Sequence, residues 1–344
     1  MLAFFKTNFT EEKAEVHWMK VFVYGYREEE ADYFEKCKRQ YGIEVETCSY
    51  KPTKDNIHLA NGYTCISMLS TPMPKDLIEI LYQNGTRFIS TRTVGYDHID
   101  MDSAKQLGMH IGNATYAPES VADYTIMLIL MTLRKMKLIM KSAEIQDYSF
   151  TGVQGKNLKG KTVGVIGTGS IGKTLIQHIN GFGCNIIAYS RHQDTELTSM
   201  VSYVDLDTLY KESDIITLHL PLTKDTRHII NKKSIASMKD GVILINTARG
   251  GLIDNCALIE GIESGKLSGA GLDVVEGEVG IYYNNRKASI LNQREMAILQ
   301  TFPNVIMSPH MAFLTEESNH DMVIHSMMSC VAYMTQKNNP WLIL

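Results

Sequence analysis

The fold of this chain is decided by the segment Thr162-Val163-Gly164-Val165-Ile166-Gly167-Thr168-Gly169-Ser170-Ile171-Gly172. Its first five residues are a short apolar run rich in β-branched side chains, the pattern of a strand buried on both faces. The next six form a G-x-G-x-x-G, and a helix is predicted over Ile171–Asn180. The first glycine permits a tight turn, the second lets a pyrophosphate approach the backbone, and the third lets helix and strand pack closely. The free N–H groups at the helix start suit a phosphate, so the segment predicts a dinucleotide site.

Length and composition indicate a globular protein of two domains. A chain of 344 residues is long enough for two domains of ordinary size. Its 44% hydrophobic and 21% charged residues are typical of soluble proteins. A net charge of −4 argues against a nucleic-acid partner, which requires a concentrated basic face. The longest apolar segment, Tyr124–Leu133, is too short to cross a bilayer, so no membrane partner is expected.

The cysteines and the N-terminus bear on the compartment. Six cysteines are scattered along the chain without a C-x-x-C, which favours free thiols in a reducing compartment over disulfides or a zinc site. We therefore expect a cytoplasmic protein without a metal. Residues 1–18 lack the apolar core and cleavage site of a signal peptide, and they are predicted to be an appendage before the first strand.

Strands and helices alternate from Met19 onward, which predicts two α/β domains. Residues 19–114 carry one set of elements with its own parallel sheet. Residues 115–311 are predicted to form the dinucleotide-binding domain, which begins with a long helix from Pro118 to about Lys141. The last helix, Thr315–Lys337, has no strand after it. It is expected to return to the first domain, which then consists of residues 19–114 and 312–344.

The dinucleotide-binding domain is predicted to hold six strands with helices between them, enough for a complete doubly wound fold. The strands are predicted near Thr162–Ile166, Asn185–Tyr189, Ile215–His219, Val242–Asn246, Gly269–Leu272 and Val305–Met307.

Polar side chains follow three of these strands, at the points where such a sheet binds its ligands. Arg249 follows one strand, Asp273 and Glu278 follow the next, and His310 follows the last. Taken alone, Arg249 is compatible with a surface cation, Glu278 with a solvated loop acid and His310 with a hydrogen-bonded turn histidine. Together, at three strand ends of one sheet, they predict a crevice in which an arginine, two carboxylates and a histidine converge beside the cofactor.

Several motifs, in order and at similar spacing, resemble those of the D-isomer-specific 2-hydroxyacid dehydrogenases from Met19 to about Lys337. Asp273–Glu278 and Ile89–Gly95 are most similar to the D-lactate dehydrogenase branch, including the type found in vancomycin-resistance clusters. The matching segments are Val163–Gly172, Ser213-Asp214, His219-Leu220-Pro221, Asn246–Gly250, Gly271–Asp273 and Ser308–His310.

The resemblance implies an α/β fold of two domains and a homodimer. One domain is a Rossmann-type doubly wound parallel sheet, and the other is a flavodoxin-like substrate domain that is discontinuous in sequence. Family members are usually dimers through the cofactor domain, and the apolar helix Val121–Met140 is a candidate for that interface.

The resemblance also implies a mechanism, NAD(P)H-dependent reduction of a 2-oxo acid. His310 would donate the proton, and Glu278 would orient its ring and favour its protonated form. Arg249 would bind the substrate carboxylate and polarise the carbonyl, a bidentate task that suits arginine better than lysine. Further substrate contacts are implied at Val94, Gly95, Tyr116 and Phe313. Cofactor contacts are implied at Gly167, Thr168, Gly169, Ser170, Ile171, Gly172, Ser190, Arg191, Leu220, Pro221, Thr226, Thr247, Ala248, Asp273 and His310.

The end of the second strand bears on the choice of cofactor. Relatives that prefer NAD carry an acid there, which binds the ribose 2′-hydroxyl. Here Tyr189 is followed by Ser190 and Arg191, and the first acid is Asp194. A serine and an arginine suit a 2′-phosphate, although Arg191 is also compatible with an exposed loop cation. The sequence therefore favours NADP(H), with NAD(H) possible.

The sequence specifies the substrate less closely than it specifies the reaction. Pyruvate is the default, to give D-lactate, and a roomier pocket would take 2-oxo-isocaproate or phenylpyruvate. One methylene changes binding by only about 1–3 kcal/mol in such pockets. The pocket-wall candidates by family position are Met68, Leu69, Tyr116, Phe313 and Leu314.

A second function class shares these motifs. The C-terminal-binding-protein corepressors have the same fold and act chiefly as NAD-sensing scaffolds. This chain lacks long tails suited to such regulation, and Arg249, Glu278 and His310 are all present, which favours the enzyme.

Overall fold

A computed structural model describes residues 19–344. The predicted appendage, residues 1–18, lies outside the described residues. The described chain divides into two compact units. The first comprises the residues up to Tyr116 together with Asn319–Leu344, and the second is Ala117–Ser318.

The first unit is built on a five-stranded parallel sheet in the order β2-β1-β3-β4-β5. This is the order of flavodoxin-like folds. Phe22, Ile66 and Ile89 on β1, β3 and β4 are fully or almost fully buried in one apolar cluster, while Val21 and Phe88 pack with the last helix on the other side. Its elements are β1 (Met19–Tyr24), α1 (Ala31–Tyr41), β2 (Ile43–Cys48), β3 (Cys65–Met68), α2 (Lys75–Gln83), β4 (Phe88–Thr91), α3 (Met101–Leu107) and β5 (His110–Gly112).

The second unit is built on a seven-stranded parallel sheet in the order β12-β11-β10-β9-β6-β7-β8. The order reverses between β6 and β9, which is the switch point where doubly wound folds bind dinucleotides. The elements are α4 (Glu119–Leu133), α5 (Met136–Glu144), β6 (Thr162–Ile166), α6 (Ser170–Ile179), β7 (Asn185–Tyr189), β8 (Ser202–Tyr203), α7 (Leu206–Glu212), β9 (Ile215–Leu218), α8 (Lys232–Ser237), β10 (Val242–Asn246), α9 (Asn255–Glu263), β11 (Leu267–Leu272), α10 (Arg294–Thr301) and β12 (Val305–Met307); α11 (Glu316–Met334) falls mostly in the first unit.

These two parallel sheets confirm the predicted fold class. All six strands predicted for the dinucleotide-binding domain are present, and four of them have the predicted bounds. The strand that the sequence did not predict is β8, which has two residues and pairs with β7 through Ser202 and Tyr203 at the sheet edge. A strand this short has too little alternation to be recognised in a sequence.

The predicted single helix from Pro118 to about Lys141 is wrong, because the structure has two helices there. α4 ends at Leu133, and α5 begins after Lys135, which adopts a left-handed backbone conformation with φ 53°. The loop that follows α5 folds back onto this break: Lys156 N donates to Leu133 O at 2.9 Å, and Lys135 Nζ donates to Gly152 O at 2.8 Å. Arg134-Lys135 contains neither glycine nor proline, so the sequence has no local signal for the break.

Candidate active site

The glycine loop has three differently constrained positions. Gly167 has φ 99°, and a Cβ added to it would lie 2.5 Å from His219 O. A Cβ on Gly172 would lie 2.0 Å from Gly167 O, so a side chain there would separate α6 from the turn. Around Gly169 the corresponding space is open, with nothing within 4 Å. Open space beside the backbone N–H groups that begin α6 fits a cofactor pyrophosphate.

The end of β7 presents Ser190 half-buried and Arg191 exposed. The first acid after it, Asp194, is held by Lys173 of α6, with Nζ 2.8 Å from Oδ2. This contact lowers the pKa of the Asp194 carboxyl, and the second carboxylate oxygen accepts from Glu196 N at 2.9 Å. The Asp194 carboxylate is therefore occupied by contacts within the protein, and Ser190 and Arg191 are the polar residues that directly follow the strand.

Arg249 follows β10 in a loop held by Asn246, whose side chain is fully buried. Asn246 Nδ2 donates to Arg249 O at 2.9 Å, and Asn246 Oδ1 accepts from Ala248 N at 3.0 Å. Gly250 lies against the next strand end, because a Cβ added to it would be 2.2 Å from the carbonyl carbon of Val275. The half-buried Arg249 is thus fixed beside the segment that carries Glu278.

Asp273 holds the loop after β12 from the end of β11. Its carboxylate is fully buried and accepts from Ser308 Oγ at 2.6 Å, Met311 N at 2.8 Å and Ala312 N at 2.8 Å. Burial raises the pKa of this carboxyl, against the lowering effect of its hydrogen bonds. The backbone carbonyl of Asp273 also accepts from His310 N at 2.8 Å. Asp273 therefore sets the position of His310 from both its side chain and its backbone.

His310 and Glu278 form a side-chain pair. His310 Nδ1 lies 2.6 Å from Glu278 Oε1, and Glu278 Oε2 accepts from Val275 N at 2.7 Å. The His310 backbone has φ 57°, an uncommon conformation for a residue other than glycine. Tyr283 Oη donates to His310 O at 2.8 Å, and the Phe313 ring stands edge-to-face with the imidazole at 6.4 Å. With Nδ1 directed at the carboxylate, Nε2 is the ring nitrogen left to exchange a proton.

A further residue beside these loops is Tyr124, which the sequence analysis named only as the start of the apolar segment Tyr124–Leu133. Tyr124 lies on α4, and its phenol interacts with Ser308 and is close to Asp273. Burial raises the pKa of Tyr124. The helical spacing of its apolar neighbours concealed this contact, because a tyrosine on an apolar face satisfies the same pattern whether or not its hydroxyl is used.

The remaining predicted residues lie in two places. Val94, Gly95 and Tyr116 belong to the first unit, where Thr93 Oγ1 donates to Gly95 O at 2.6 Å and Asn113 Nδ2 donates to Val94 O at 2.9 Å. The predicted cofactor contacts all belong to the second unit. Among them, Thr226 Oγ1 donates to Pro221 O at 2.7 Å, and the hydroxyls of Thr247 and Thr125 are 2.9 Å apart.

Within residues 19–344, no three His, Cys, Asp or Glu side chains are grouped so that they would hold a metal ion. None of the helices of that range is both long enough and apolar enough to span a bilayer.

The fold and the site define a dinucleotide-dependent enzyme with a histidine–carboxylate pair and an arginine at adjoining strand ends. Residues 126–312 match the family described as D-isomer specific 2-hydroxyacid dehydrogenase, NAD binding domain. The chain belongs to this family. It is therefore an oxidoreductase, a D-specific 2-hydroxyacid dehydrogenase, with a Rossmann fold that binds a nicotinamide cofactor, and its family acts on small 2-hydroxy and 2-oxo acids.

This chain is similar to relatives whose names refer to different substrates. It is 40% identical over 314 residues to a D-specific alpha-keto acid dehydrogenase of Enterococcus faecium, covering 91% of this chain and 96% of the relative. It is also 40% identical over 314 residues to an aromatic 2-oxoacid reductase of Clostridium sporogenes, covering 90% and 95%. The crystal structure of a D-lactate dehydrogenase from Treponema pallidum superposes with a TM-score of 0.84 at 31% identity, covering 95% and 100%.

Proposed function

We propose that this enzyme reduces a 2-oxo acid to the D-2-hydroxy acid, with pyruvate as the default substrate and His310 as the proton donor. The observation that carries the proposal is the 2.6 Å contact between His310 Nδ1 and Glu278 Oε1. A carboxylate at one ring nitrogen orients the imidazole, so the other nitrogen can act as a general acid.

The proposed roles of the residues follow from their chemistry. The nicotinamide, when bound, supplies the hydride that reaches the carbonyl carbon of the substrate. His310 donates the proton from Nε2 to the carbonyl oxygen, and it accepts the proton back in the reverse direction. Arg249 binds the substrate carboxylate through its planar guanidinium and polarises the carbonyl. Glu278 holds the His310 ring in one orientation while the proton moves.

We propose further substrate contacts at Val94, Gly95, Tyr116 and Phe313, following the family resemblance. The proposed domain division has the same basis: residues 19–114 and 312–344 act on the substrate, and residues 115–311 bind the cofactor.

The size of the accepted acid is open to direct test. Relatives at 40% identity carry a general keto-acid name and an aromatic one, so their names do not choose between a small and a bulky acid. We would measure steady-state turnover of pyruvate, 2-oxo-isocaproate and phenylpyruvate. Highest kcat/KM with pyruvate supports the small pocket, and highest kcat/KM with phenylpyruvate moves the assignment to an aromatic 2-oxo acid reductase. If no acid is turned over while the cofactor binds, the enzyme proposal fails and a cofactor-sensing scaffold replaces it.

For the cofactor we propose NADP(H), with NAD(H) as the weaker alternative. The support is that Asp194 is paired with Lys173, while Ser190 and the exposed Arg191 follow β7 directly. Arg191→Ala is expected to lower kcat/KM with NADPH about tenfold while leaving that with NADH within about twofold, because only NADPH carries the 2′-phosphate. A wild-type enzyme that strongly prefers NADH would contradict this proposal.

We further propose a cytoplasmic homodimer. The six cysteines are free, which suits a reducing compartment. Large apolar side chains are exposed at and just after α5, with Met140 53%, Ile145 79%, Tyr148 76% and Phe150 93% accessible. Several exposed apolar side chains along one segment make that segment a candidate association surface. Light scattering of the wild type and of a Tyr148→Ser/Phe150→Ser variant tests this: a dimer that becomes a monomer supports the surface, and a monomeric wild type rejects it.

A further inference from the structure

Glu276 joins two segments of the second unit that follow different strands. It lies between Asp273 and Glu278 in the segment after β11. One carboxylate oxygen accepts from Arg227 Nη2, and the other lies 2.8 Å from His228 Nε2. Arg227 and His228 belong to the segment after β9. The Glu276 side chain is 29% accessible, so part of this double contact is shielded from water.

The segment after β9 contains the proposed cofactor contacts Leu220, Pro221 and Thr226, immediately before Arg227. Thr226 Oγ1 donates to Pro221 O at 2.7 Å, so residues 221–226 form a closed turn. Two residues after this turn, His228 has a φ of 51°, which is uncommon for a residue other than glycine. His228 N donates to Gly251 O at 2.9 Å, and its ring is held by Glu276. A strained residue of this kind persists only where its surroundings fix it.

The segment after β10 is packed against the same residue. Gly250 lies against the Val275–Glu276 peptide, since an added Cβ would be 2.3 Å from Glu276 N. Asn255 Nδ2 donates to Glu276 O at 3.1 Å. The ends of the adjacent strands β9, β10 and β11 therefore meet around Glu276. β9 is followed by residues 220–228, which include the proposed cofactor contacts. β10 is followed by Arg249, and β11 is followed by Glu278.

We propose that Glu276 is a positioning residue that couples the cofactor turn, residues 220–228, to the arginine and the histidine–carboxylate pair. An isolated surface ion pair contributes little to stability. Glu276 differs because it is part-buried and contacts two residues of one strained turn. Its removal frees that turn from the segment that orients Glu278. The inference rests on the proposed function, since it assigns Glu276 a role in the same reaction.

The test compares Glu276→Ala and Glu276→Gln with the wild type. For Glu276→Ala we expect a cofactor dissociation constant that is roughly tenfold larger by calorimetry. We also expect a roughly tenfold lower kcat with a saturating 2-oxo acid. Glu276→Gln keeps hydrogen-bonding atoms without the charge, so both parameters should fall between those of the other two proteins. The matched control is Glu260→Gln, which breaks the exposed 2.7 Å ion pair between Lys232 and Glu260 in the same unit and should change neither parameter.

A double-mutant comparison separates coupling from a structural effect. Arg227→Ala/His228→Ala removes the other side of the contact, and adding Glu276→Ala to it should change cofactor affinity and kcat by less than twofold, because the contact is already lost. Fully additive effects would overturn the proposal. So would a Glu276→Ala protein that loses only melting temperature or active fraction while the dissociation constant and per-site kcat stay at wild-type values. A wild type without turnover would defeat the proposed function, whereas the calorimetric comparison would still report on the cofactor turn.

Discussion

Glu278 bridges His310 and the backbone of Val275. Its Oε1 lies 2.6 Å from His310 Nδ1, and its Oε2 accepts a hydrogen bond from Val275 N at 2.7 Å. The carboxylate therefore cannot rotate without breaking a backbone hydrogen bond. The imidazole is held in one orientation by a group that is itself held, which is the arrangement expected of a general acid and its orienting residue.

The first prediction concerns His310. His310→Asn should lower kcat by about 10²–10⁴-fold, because asparagine supplies no titrating group in reach of the substrate oxygen. Asparagine tolerates φ 57° better than most residues, so the fold should be retained. Glu278→Gln should give a smaller loss, since the ring keeps a hydrogen-bond partner. Stopped-flow turnover and melting temperature check this. His58→Asn, an exposed histidine of the first unit, serves as the control, and near-wild-type turnover of His310→Asn would refute the acid role.

The second prediction concerns the guanidinium of Arg249. Arg249→Lys keeps the charge but loses the planar pair of donors, so kcat/KM for the 2-oxo acid should fall roughly 10- to 100-fold, the equivalent of one charged hydrogen bond. Cofactor affinity should hardly change. Substrate saturation curves and cofactor calorimetry test the two statements separately, with the exposed Arg39→Lys as a control. An unchanged kcat/KM would remove Arg249 from substrate binding.

The third prediction uses two glycines of one loop. Gly172→Ala should destabilise the protein by about 1–3 kcal/mol, because the methyl group would stand 2.0 Å from Gly167 O and the backbone must move. Gly169→Ala should leave stability almost unchanged, since its backbone is extended at φ −68° and the space beside it is open. It should nevertheless weaken cofactor binding. Urea unfolding and calorimetry distinguish the two, and equal effects on stability would contradict the assignment of different tasks.

The fourth prediction is a pH dependence of stability from His219. Burial lowers the pKa of this histidine from 6.5 to about 3, and its Nε2 lies 2.9 Å from Thr217 Oγ1. Between these two pH values the unfolded chain binds the proton and the folded chain does not. The free energy of unfolding should therefore rise as the pH increases from about 3 to about 6.5, and it should fall on acidification through the same range. His219→Gln should show a flatter dependence in urea titrations at pH 4, 5, 6 and 7, and parallel curves would reject a neutral His219 ring in the folded protein.

Much of the fold was predictable because its signals are local. Thr162–Ile166, Asn185–Tyr189 and Val242–Asn246 are short apolar runs bounded by polar or glycine residues, and the structure has strands with those bounds. The left-handed residue that separates α4 from α5 was not predictable. It depends on Lys156 reaching Leu133 O from a loop that begins well after the break.

The residues of the candidate site also divide into those that the sequence indicated and those that it did not. Arg249, Glu278 and His310 could be named because each follows a predicted strand, and parallel strands place such residues at one edge of a sheet. Tyr124 and Glu276 could not, since a tyrosine in an apolar helix and an acid in a polar loop have many uses. Their partners, Ser308 and Asp273 for Tyr124 and Arg227 and His228 for Glu276, are far away in the sequence.

The sequence by itself determined the glycine loop, the parallel sheets and the residue types available for chemistry, because strand periodicity and turn glycines act over a few neighbouring residues. Only the tertiary structure decided which carboxylates are already occupied. Asp194 is held by Lys173, Asp273 by three donors of the loop after β12, and Glu278 remains directed at His310. These assignments depend on distances between segments that are remote in the chain, and such distances exist only once the sheet has formed.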